Sequence, residues 1–142
     1  FRWQEAFKIV RGIGRGHIMT GSETWKDYTI SSKISIPLAS AAGLILRSQG
    51  LKRYYSLELT SDKKLKINKM EYELKTLKEI DFDLEFFKDY NLKFKVKGNH
   101  LQGFVDDNLM IEVEDNENSF EQGMIGFITE NGAIQSESIS IE

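Results

Sequence analysis

The sequence predicts an all-β protein, an antiparallel β-sandwich of the jelly-roll type. Alternation of apolar and polar residues with a period of two recurs nearly everywhere, whereas apolar residues at helical spacing are scarce outside 81–89. Turn signals separate the apolar runs by roughly eight to twelve residues, as is typical of sandwiches and barrels. Together these two observations favour one antiparallel β-sandwich over any helical fold.

Length and composition limit the classes of function. The 142 residues suit one domain, which we expect to bury about 70% of the surface that its unfolded chain exposes. A net charge of −3 with 29% charged residues is typical of an ordinary globular domain and disfavours nucleic acid as a partner. The absence of cysteine excludes a disulfide framework, a thiolate metal site and a cysteine nucleophile.

Targeting signals give no compartment. The chain has no apolar run of about 18 residues and no basic-then-apolar leader, so we expect no membrane partner and no signal peptide. Because the chain begins at Phe1 rather than at methionine, we expect residues 1–142 to be a single β-sandwich domain excised from a longer protein.

The strands follow from the alternation. The first clear strand begins at Tyr28 and ends at the only proline, Pro37, which cannot donate a ladder hydrogen bond. Tight turns are predicted at Gly98-Asn99 and at Asp107-Asn108. The remaining strands are predicted at 43–49, 53–60, 64–70, 74–80, 90–98, 100–106, 109–114, 123–129 and 136–142.

The hairpin formed by 43–49 and 53–60 supplies the candidate site. We predict a register in which Gln49 lies opposite Tyr54, so that Arg47 lies opposite Ser56. The inner face then carries core residues Leu44, Leu46, Tyr55, Leu57 and Leu59. The outer face carries the candidate ligand-binding residues Arg47, Gln49, Tyr54, Ser56 and Glu58.

These five outer side chains match the chemistry of a glycan. A guanidinium, an amide, a phenol and a carboxylate offer donors and acceptors for hydroxyl groups, and tyrosine adds a flat apolar surface for a sugar ring. The alternative is a solvated outer sheet that is held by a cross-strand Arg47–Glu58 pair.

A glycine-rich segment lies near the start of the chain. Gly12-Ile13-Gly14-Arg15-Gly16 resembles a phosphate-cradling loop, but such loops open a helix, and a strand-like segment follows here. We therefore predict a flexible strand connection that brings Arg15 and His17 to the rim of a ligand site. The two histidines, His17 and His100, lack the spacing of a zinc site.

Carboxylates at alternate positions raise the question of catalysis. Asp81, Asp83 and Glu85 would share one face of a strand, and a retaining glycosidase needs two carboxyl groups about 5 Å apart. The segment is similar to a diluted form of the signature of laminarinase-type jelly-roll glucanases, but it lacks their tryptophan-rich cleft. We predict an acidic loop and no catalytic residue, with a small jelly-roll glycosidase as the less favoured alternative.

Oxygen-bearing side chains suggest one further possibility, a structural calcium ion. Asp115, Asn116, Glu117 and Asn118 form a cluster that lacks the glycine and terminal glutamate of an EF-hand loop. Glu5 and Glu137 would meet if the terminal strands pair. We predict no cofactor, with structural calcium as the open alternative.

Several short stretches share residues with known domains. They are Gly16-His17-Ile18 with Gly21, Trp25-Lys26-Asp27-Tyr28, Gly43-Leu44, Arg47-Ser48-Gln49-Gly50 and Arg53-Tyr54-Tyr55. In these the chain resembles the β-sandwich domain appended to some bacterial ADP-ribosylglycohydrolase-family (crystallin J1-related) proteins. A later set is shared more widely by concanavalin A-like and carbohydrate-binding sandwiches, although Asp106-Asp107 replaces their usual Asp-Gly turn: Val96-Lys97-Gly98-Asn99, Phe104-Val105-Asp106, Asp115 and Gly123-Met124-Ile125-Gly126.

The resemblance implies a non-catalytic accessory module beside a hydrolase domain of the ADP-ribosylglycohydrolase family. The expected partners are a glycan or an ADP-ribose-like ligand and the module's own catalytic domain. The alternative is a structural module that packs on that domain or on a second subunit. A large apolar patch around Phe104 would favour this alternative.

Overall fold

The computed structural model describes residues 2–3 and 7–142, with side chains described for 15–36, 38–134, 136 and 139–142. Within these residues the chain forms eleven strands and no helix, and hence no helix that could cross a membrane. The strands are β1 (Arg2–Trp3), β2 (Phe7–Thr20), β3 (Tyr28–Leu38), β4 (Ala41–Ser48), β5 (Arg53–Thr60), β6 (Lys64–Glu71), β7 (Glu73–Asp81), β8 (Asp89–Lys97), β9 (His100–Val105), β10 (Asn108–Glu114) and β11 (Met124–Ile141).

Two antiparallel sheets form a sandwich, and the long strand β11 runs through both. Its first half pairs with β4 in the second sheet, which continues through β5 and β6 to β7. Its second half pairs with β3 in the first sheet, which continues through β8 and β9 to β10. Strand β2 pairs with the other edge of β11 along both halves. The predicted fold class is therefore confirmed.

The core lies between the two sheets. The inward side chains of β4 and β5 (Leu44, Leu46, Tyr55, Leu57 and Leu59) belong to one buried cluster with Leu92 and Phe94 of β8 and Phe127 of β11. The sheets meet closely at Gly103 of β9, where a Cβ atom would lie 2.6 Å from Cδ1 of Leu57. Each fully buried leucine or phenylalanine contributes about 2 kcal/mol to stability. The predicted core set of the β4–β5 hairpin is confirmed.

Two predicted boundaries are wrong, and both involve glycine-containing segments. The segment 12–16 is not a loop, because it lies within β2: Arg15 and Gly16 pair with Glu130 and Thr129 of β11, and the register shifts between Arg15 and Arg11. The segments 123–129 and 136–142 are one strand, because Asn131 and Gly132 form a bulge between them rather than a turn. In each case pairing with a neighbouring strand overrides a local turn signal.

The β4–β5 hairpin has a different register from the predicted one. Ile45 lies opposite Ser56, and Gly43 lies opposite Glu58, a shift of two residues. The backbone of Arg47 has a φ of 47°, and the N–H of Gln49 donates to the carbonyl of Arg53 at 2.8 Å. A break in regular alternation just before the turn thus moves the pairing and reorients Arg47.

The β9–β10 hairpin closes with Asp106 and Asp107, one residue earlier than predicted. Both have positive φ, 49° and 68°, as a two-residue turn of the primed type requires. Asn108 then lies opposite Val105, so the predicted hairpin itself is confirmed.

Candidate functional site

The outward side of the second sheet, which we call the polar face, gathers charged and amide side chains from five strands. Alternation places them there, since their neighbours in sequence fill the core. The polar face carries Arg15 and His17 of β2, Glu130 of β11, Tyr54, Ser56 and Glu58 of β5, Lys66 and Asn68 of β6, and Leu74 and Thr76 of β7.

A pocket of about 330 Å³ opens on the polar face. Its floor contains Glu58 and Asn68, both of which are buried. Its lining is completed by side chains from β2, β7, β11 and the ends of β4 to β6: Arg15, Ser40, Ala41, Thr60, Ser61, Asp62, Lys66, Leu74, Thr76 and Glu130.

Glu58 is the most buried carboxylate of the polar face, with only 1% of its surface exposed. Both of its oxygens accept hydrogen bonds from Arg15, at 3.0 and 2.8 Å. The Ser56 hydroxyl and the Asn68 amide, the latter at 3.0 Å, donate to Oε2 as well. The carboxylate is therefore fully bonded on the protein side and rigidly oriented.

Arg15 reaches Glu58 from β2, across two intervening strands. Gly43 of β4 lies directly opposite Glu58, and a Cβ atom there would lie 1.8 Å from the carbonyl oxygen of Leu57. Arg15 also donates to Glu130 at 2.8 Å and, through Nε and Nη2, to the hydroxyl of Tyr54 at 3.2 and 3.1 Å. One guanidinium thus connects β2, β5 and β11.

Both members of the Arg15–Glu58 pair stay ionised. Burial works to raise the pKa of Glu58, but the hydrogen bonds and charge of Arg15 and the hydrogen bonds of Ser56 and Asn68 hold it below its ordinary value. Burial likewise works to lower the pKa of Arg15, but Glu58 and Tyr54 raise it above its ordinary value. The pocket floor is therefore a fixed ion pair at neutral pH.

Tyr54 and His17 lie beside the Arg15–Glu58 ion pair. Tyr54 is fully buried, and its hydroxyl lies 3.2 Å from Nε2 of His17. Because Arg15 donates to the phenol oxygen, the phenol's own proton is available to His17. Burial and the charge of Arg15 lower the pKa of His17, which favours the neutral imidazole. Burial raises the pKa of Tyr54.

Asn68 carries a buried acceptor that no described side chain or backbone group satisfies. Its Nδ2 donates to Glu58, which fixes the amide orientation, while Oδ1 has no hydrogen-bond partner. A buried polar atom without a partner costs about 1 to 3 kcal/mol. The oxygen has almost no accessible surface, so it lies beneath the surface of the pocket.

Arg47 does not lie on the polar face, so its predicted position is wrong. Its side chain is 2% exposed and donates to the carbonyls of Lys26, Gly98 and Phe120. It also pairs with Asp27 at 3.0 Å. The bulge in β4 turns Arg47 toward these loops, which it connects at one end of the sandwich. The predicted Arg47–Glu58 cross-strand pair is replaced by Arg15–Glu58.

Gln49 also lies outside the pocket. Its side-chain amide donates to the carbonyl of Gln122 at 3.1 Å, and its Oε1 accepts from Arg53 at 3.2 Å. Of the five predicted site residues, the structure brings together Tyr54, Ser56 and Glu58, in a network with Arg15, and only Glu58 of the three lines the pocket.

The sequence predicted Arg15 and His17 only at the rim of the site. It did not single out Asn68, Lys66 or Glu130, which line the pocket. Lys66 and Asn68 carried a usable signal, because they alternate with Leu65 and Ile67 of the core. Glu130 carried none, since it lay beyond the end of a predicted strand.

The three alternating carboxylates are exposed and do not form a catalytic pair. Asp81 is paired with Lys64, Asp83 with Lys63 at 3.0 Å and Glu85 with Lys88 at 3.9 Å. Only Asp81 belongs to a strand, so the three do not share a face. The predicted acidic loop is confirmed for the residues after Asp81.

Asp115 serves as a structural anion instead of a free metal ligand. It pairs with Lys69 at 2.7 Å and accepts from the Tyr55 hydroxyl at 2.5 Å. Among the described residues, no cluster of three histidine, aspartate or glutamate side chains is arranged to hold a metal ion. The predicted meeting of Glu5 and Glu137 lies outside the described residues and side chains.

No protein-family model and no curated protein matches the sequence. Solved structures match the fold. The carbohydrate binding module CBM66 from Bacillus subtilis is similar with a TM-score of 0.86 at 19% identity, over 99% of this chain and 96% of that one. Caenorhabditis elegans galectin LEC-6 gives 0.68 at 14% identity over 95% of each chain. Chicken galectin 2 gives 0.64 at 12% identity, over 84% of this chain and 93% of that one.

Proposed function

We propose that this domain is a non-catalytic carbohydrate-binding module whose pocket on the polar face takes a neutral, hydroxyl-rich glycan. The observation that carries this proposal is the pocket, in which the fixed Arg15–Glu58 ion pair lies beneath the more exposed side chains of Asp62, Lys66 and Glu130. Rigid polar groups of this kind suit a ligand that presents several hydroxyl groups in a fixed arrangement.

The donors and acceptors of the lining complement those of a sugar. Carboxylate oxygens of Glu130 and Asp62 accept from hydroxyl protons, while Lys66 donates to hydroxyl or ring oxygens. A sugar hydroxyl both donates and accepts, so one ring satisfies groups of both kinds. Leu74 and Ala41 supply apolar surface for its C–H groups.

The charge of the pocket favours a neutral ligand over an anionic one. Three carboxylates line it, on Glu58, Asp62 and Glu130, against the two cations of Arg15 and Lys66. Arg15 is already committed to two of the carboxylates. A diphosphate such as ADP-ribose would therefore meet a surplus of negative charge, and we favour the glycan of the two predicted ligands.

The similarity to a structure that is by name a carbohydrate binding module, over nearly the whole of both chains, supports the proposal. Attachment to an ADP-ribosylglycohydrolase-like domain stays a prediction. So does the structural alternative, in which the domain packs on another protein. An apolar patch around Phe104 would favour that alternative. The ring of Phe104 is partly buried and has Lys93 Nζ above it at 5.6 Å, whereas Leu109, opposite it on β10, is exposed.

A binding screen tests the proposal. The wild-type domain is applied to an array of neutral and anionic glycans and, separately, titrated with ADP-ribose. We expect saturable binding to neutral glycans that falls about tenfold or more in Glu58→Gln and in Asn68→Ala. The matched control is Glu114→Gln, an exposed carboxylate on β10 of the other sheet.

Two results would contradict the proposal. Binding that Glu58→Gln and Asn68→Ala leave unchanged would move the site away from this pocket. Binding of ADP-ribose with no neutral glycan bound would reverse the ligand class.

A further inference from the structure

The tip of the β6–β7 hairpin carries an aromatic side chain in an unfavourable place. Tyr72 is 68% exposed and has a φ of 66°. Positive φ is costly for a bulky side chain, and glycine or asparagine ordinarily occupies such a turn position. The exposed ring of Tyr72 contributes little to the buried core, and glycine would occupy this backbone position at lower cost. Strained positions of this kind cluster at functional sites.

Tyr72 adjoins the pocket through the strand that follows it. Thr76 and Leu74 line the pocket, and alternate residues of a strand advance about 6.6 Å on the same face. Tyr72 lies in the turn immediately before β7, two residues before Leu74, which is itself 42% exposed. The tyrosine is therefore close along the chain to the pocket lining.

The hairpin tip is held in place by the neighbouring turn. The backbone N–H of Tyr72 donates to the carbonyl of Lys52 at 2.8 Å, between β4 and β5. The backbone of the tip is therefore held against the turn between β4 and β5 before a ligand arrives. Preorganisation of this kind lowers the entropic cost of binding.

We propose that Tyr72 is an aromatic platform for a second sugar residue, so that the ligand is an oligosaccharide whose first residue occupies the pocket. This inference rests on the function proposed above. The ring offers a flat apolar face to the C–H groups of a sugar, and its hydroxyl lies at the outer end, where solvent and sugar hydroxyl groups meet it.

The experiment compares saccharides of increasing length. Glucose, galactose, mannose, xylose and fructose are each titrated calorimetrically beside their neutral oligomers of two to four residues. For the sugar that binds, we expect the oligomer to bind more tightly than the monomer. Tyr72→Gly should remove about three- to tenfold of the oligomer affinity and leave the monomer affinity unchanged, while Tyr72→Phe keeps both.

The chain supplies a matched control in Phe87. This residue is 78% exposed with a φ of 64°, but its N–H donates to the carbonyl of Ile36 in the other sheet, and no residue within two positions of it lines the pocket. Phe87→Gly makes the same chemical change away from the pocket and should leave the oligomer affinity intact. Thermal melts of both glycine variants verify that each is folded.

The outcomes separate the two proposals. Equal loss of oligomer and monomer affinity in Tyr72→Gly, or an unchanged oligomer affinity, overturns the platform. The pocket stands in that case, provided that Glu58→Gln still lowers the affinity about tenfold or more. Absence of saccharide binding by the wild-type domain overturns both proposals.

Discussion

Arg15 on β2 and Glu58 on β5 form a bidentate ion pair, although two strands, β11 and β4, lie between them in the sheet. The two residues are 43 positions apart in the sequence, and three strand spacings of about 4.8 Å separate their backbones. The arginine side chain nevertheless lies across the sheet and reaches both oxygens of the carboxylate. The pocket floor exists only when all four strands are in place.

Replacement of Glu58 should lower stability as well as glycan affinity. Glu58→Gln keeps the volume of the side chain but leaves the guanidinium of Arg15 with one carboxylate partner, Glu130, instead of two. Removal of one partner of a buried pair costs about 3 kcal/mol. Urea unfolding should therefore show a lower midpoint with an unchanged slope. A midpoint equal to that of the wild type would mean that the pair contributes nothing to the folded state.

Acid should remove the contribution of this pair. The folded-state pKa of Glu58 lies below the ordinary value of 4.5, so its stabilisation is fully present above pH 4.5 and is lost as the pH falls through the folded-state pKa. Asp115, whose pKa is also lowered, adds a loss of the same sign.

The difference in unfolding free energy between wild type and Glu58→Gln isolates the Glu58 part of this acid loss. Measured by urea unfolding at several pH values, this difference should be constant from pH 7 to pH 5 and should shrink below that. A difference that stays constant down to pH 3 would contradict the assignment.

Arg47 should matter for stability and not for glycan contact. Arg47→Ala leaves the carbonyls of Lys26, Gly98 and Phe120 without their donor and should cost about 3 kcal/mol. Lys52→Ala, at an exposed position, is the control. Thermal melts measure the loss, and titration of the folded variant should give an unchanged glycan affinity. Lost affinity in a variant with a normal melt would place Arg47 in the site after all.

The titration of His17 should report on its neighbour Arg15. Two causes hold the pKa of His17 below 6.5: burial, which is the larger, and the positive charge of Arg15. Arg15→Gln removes that charge and leaves the anion of Glu58 close by, so the pKa of His17 should rise. The imidazole resonances followed by NMR against pH measure it. Glu114→Gln is the control, and an identical His17 pKa in wild type and Arg15→Gln would argue against the placement of the Arg15 charge near His17.

The sequence by itself determined the all-β class, the sandwich and most strands. Period-two alternation is a local pattern, and each run such as the one beginning at Tyr28 reveals its inward face without knowledge of its partners. The same pattern identified the core side of the β4–β5 hairpin and brought Tyr54, Ser56 and Glu58 to one outer face. Local chemistry also singled out Arg15 and His17.

Only the tertiary structure decided which cation meets Glu58. The period-two pattern does not reveal a bulge, so alternation alone predicted Arg47 on the polar face. In the structure Arg47 has a φ of 47°, and its side chain is buried at the end of the sandwich. Pairing of β2 with β11 turned a glycine-rich segment into a strand and carried Arg15 over the sheet. The pocket is assembled from β2, β4, β5, β6, β7 and β11. Contacts between segments so distant in sequence depend on strand order and register, which a local pattern does not encode.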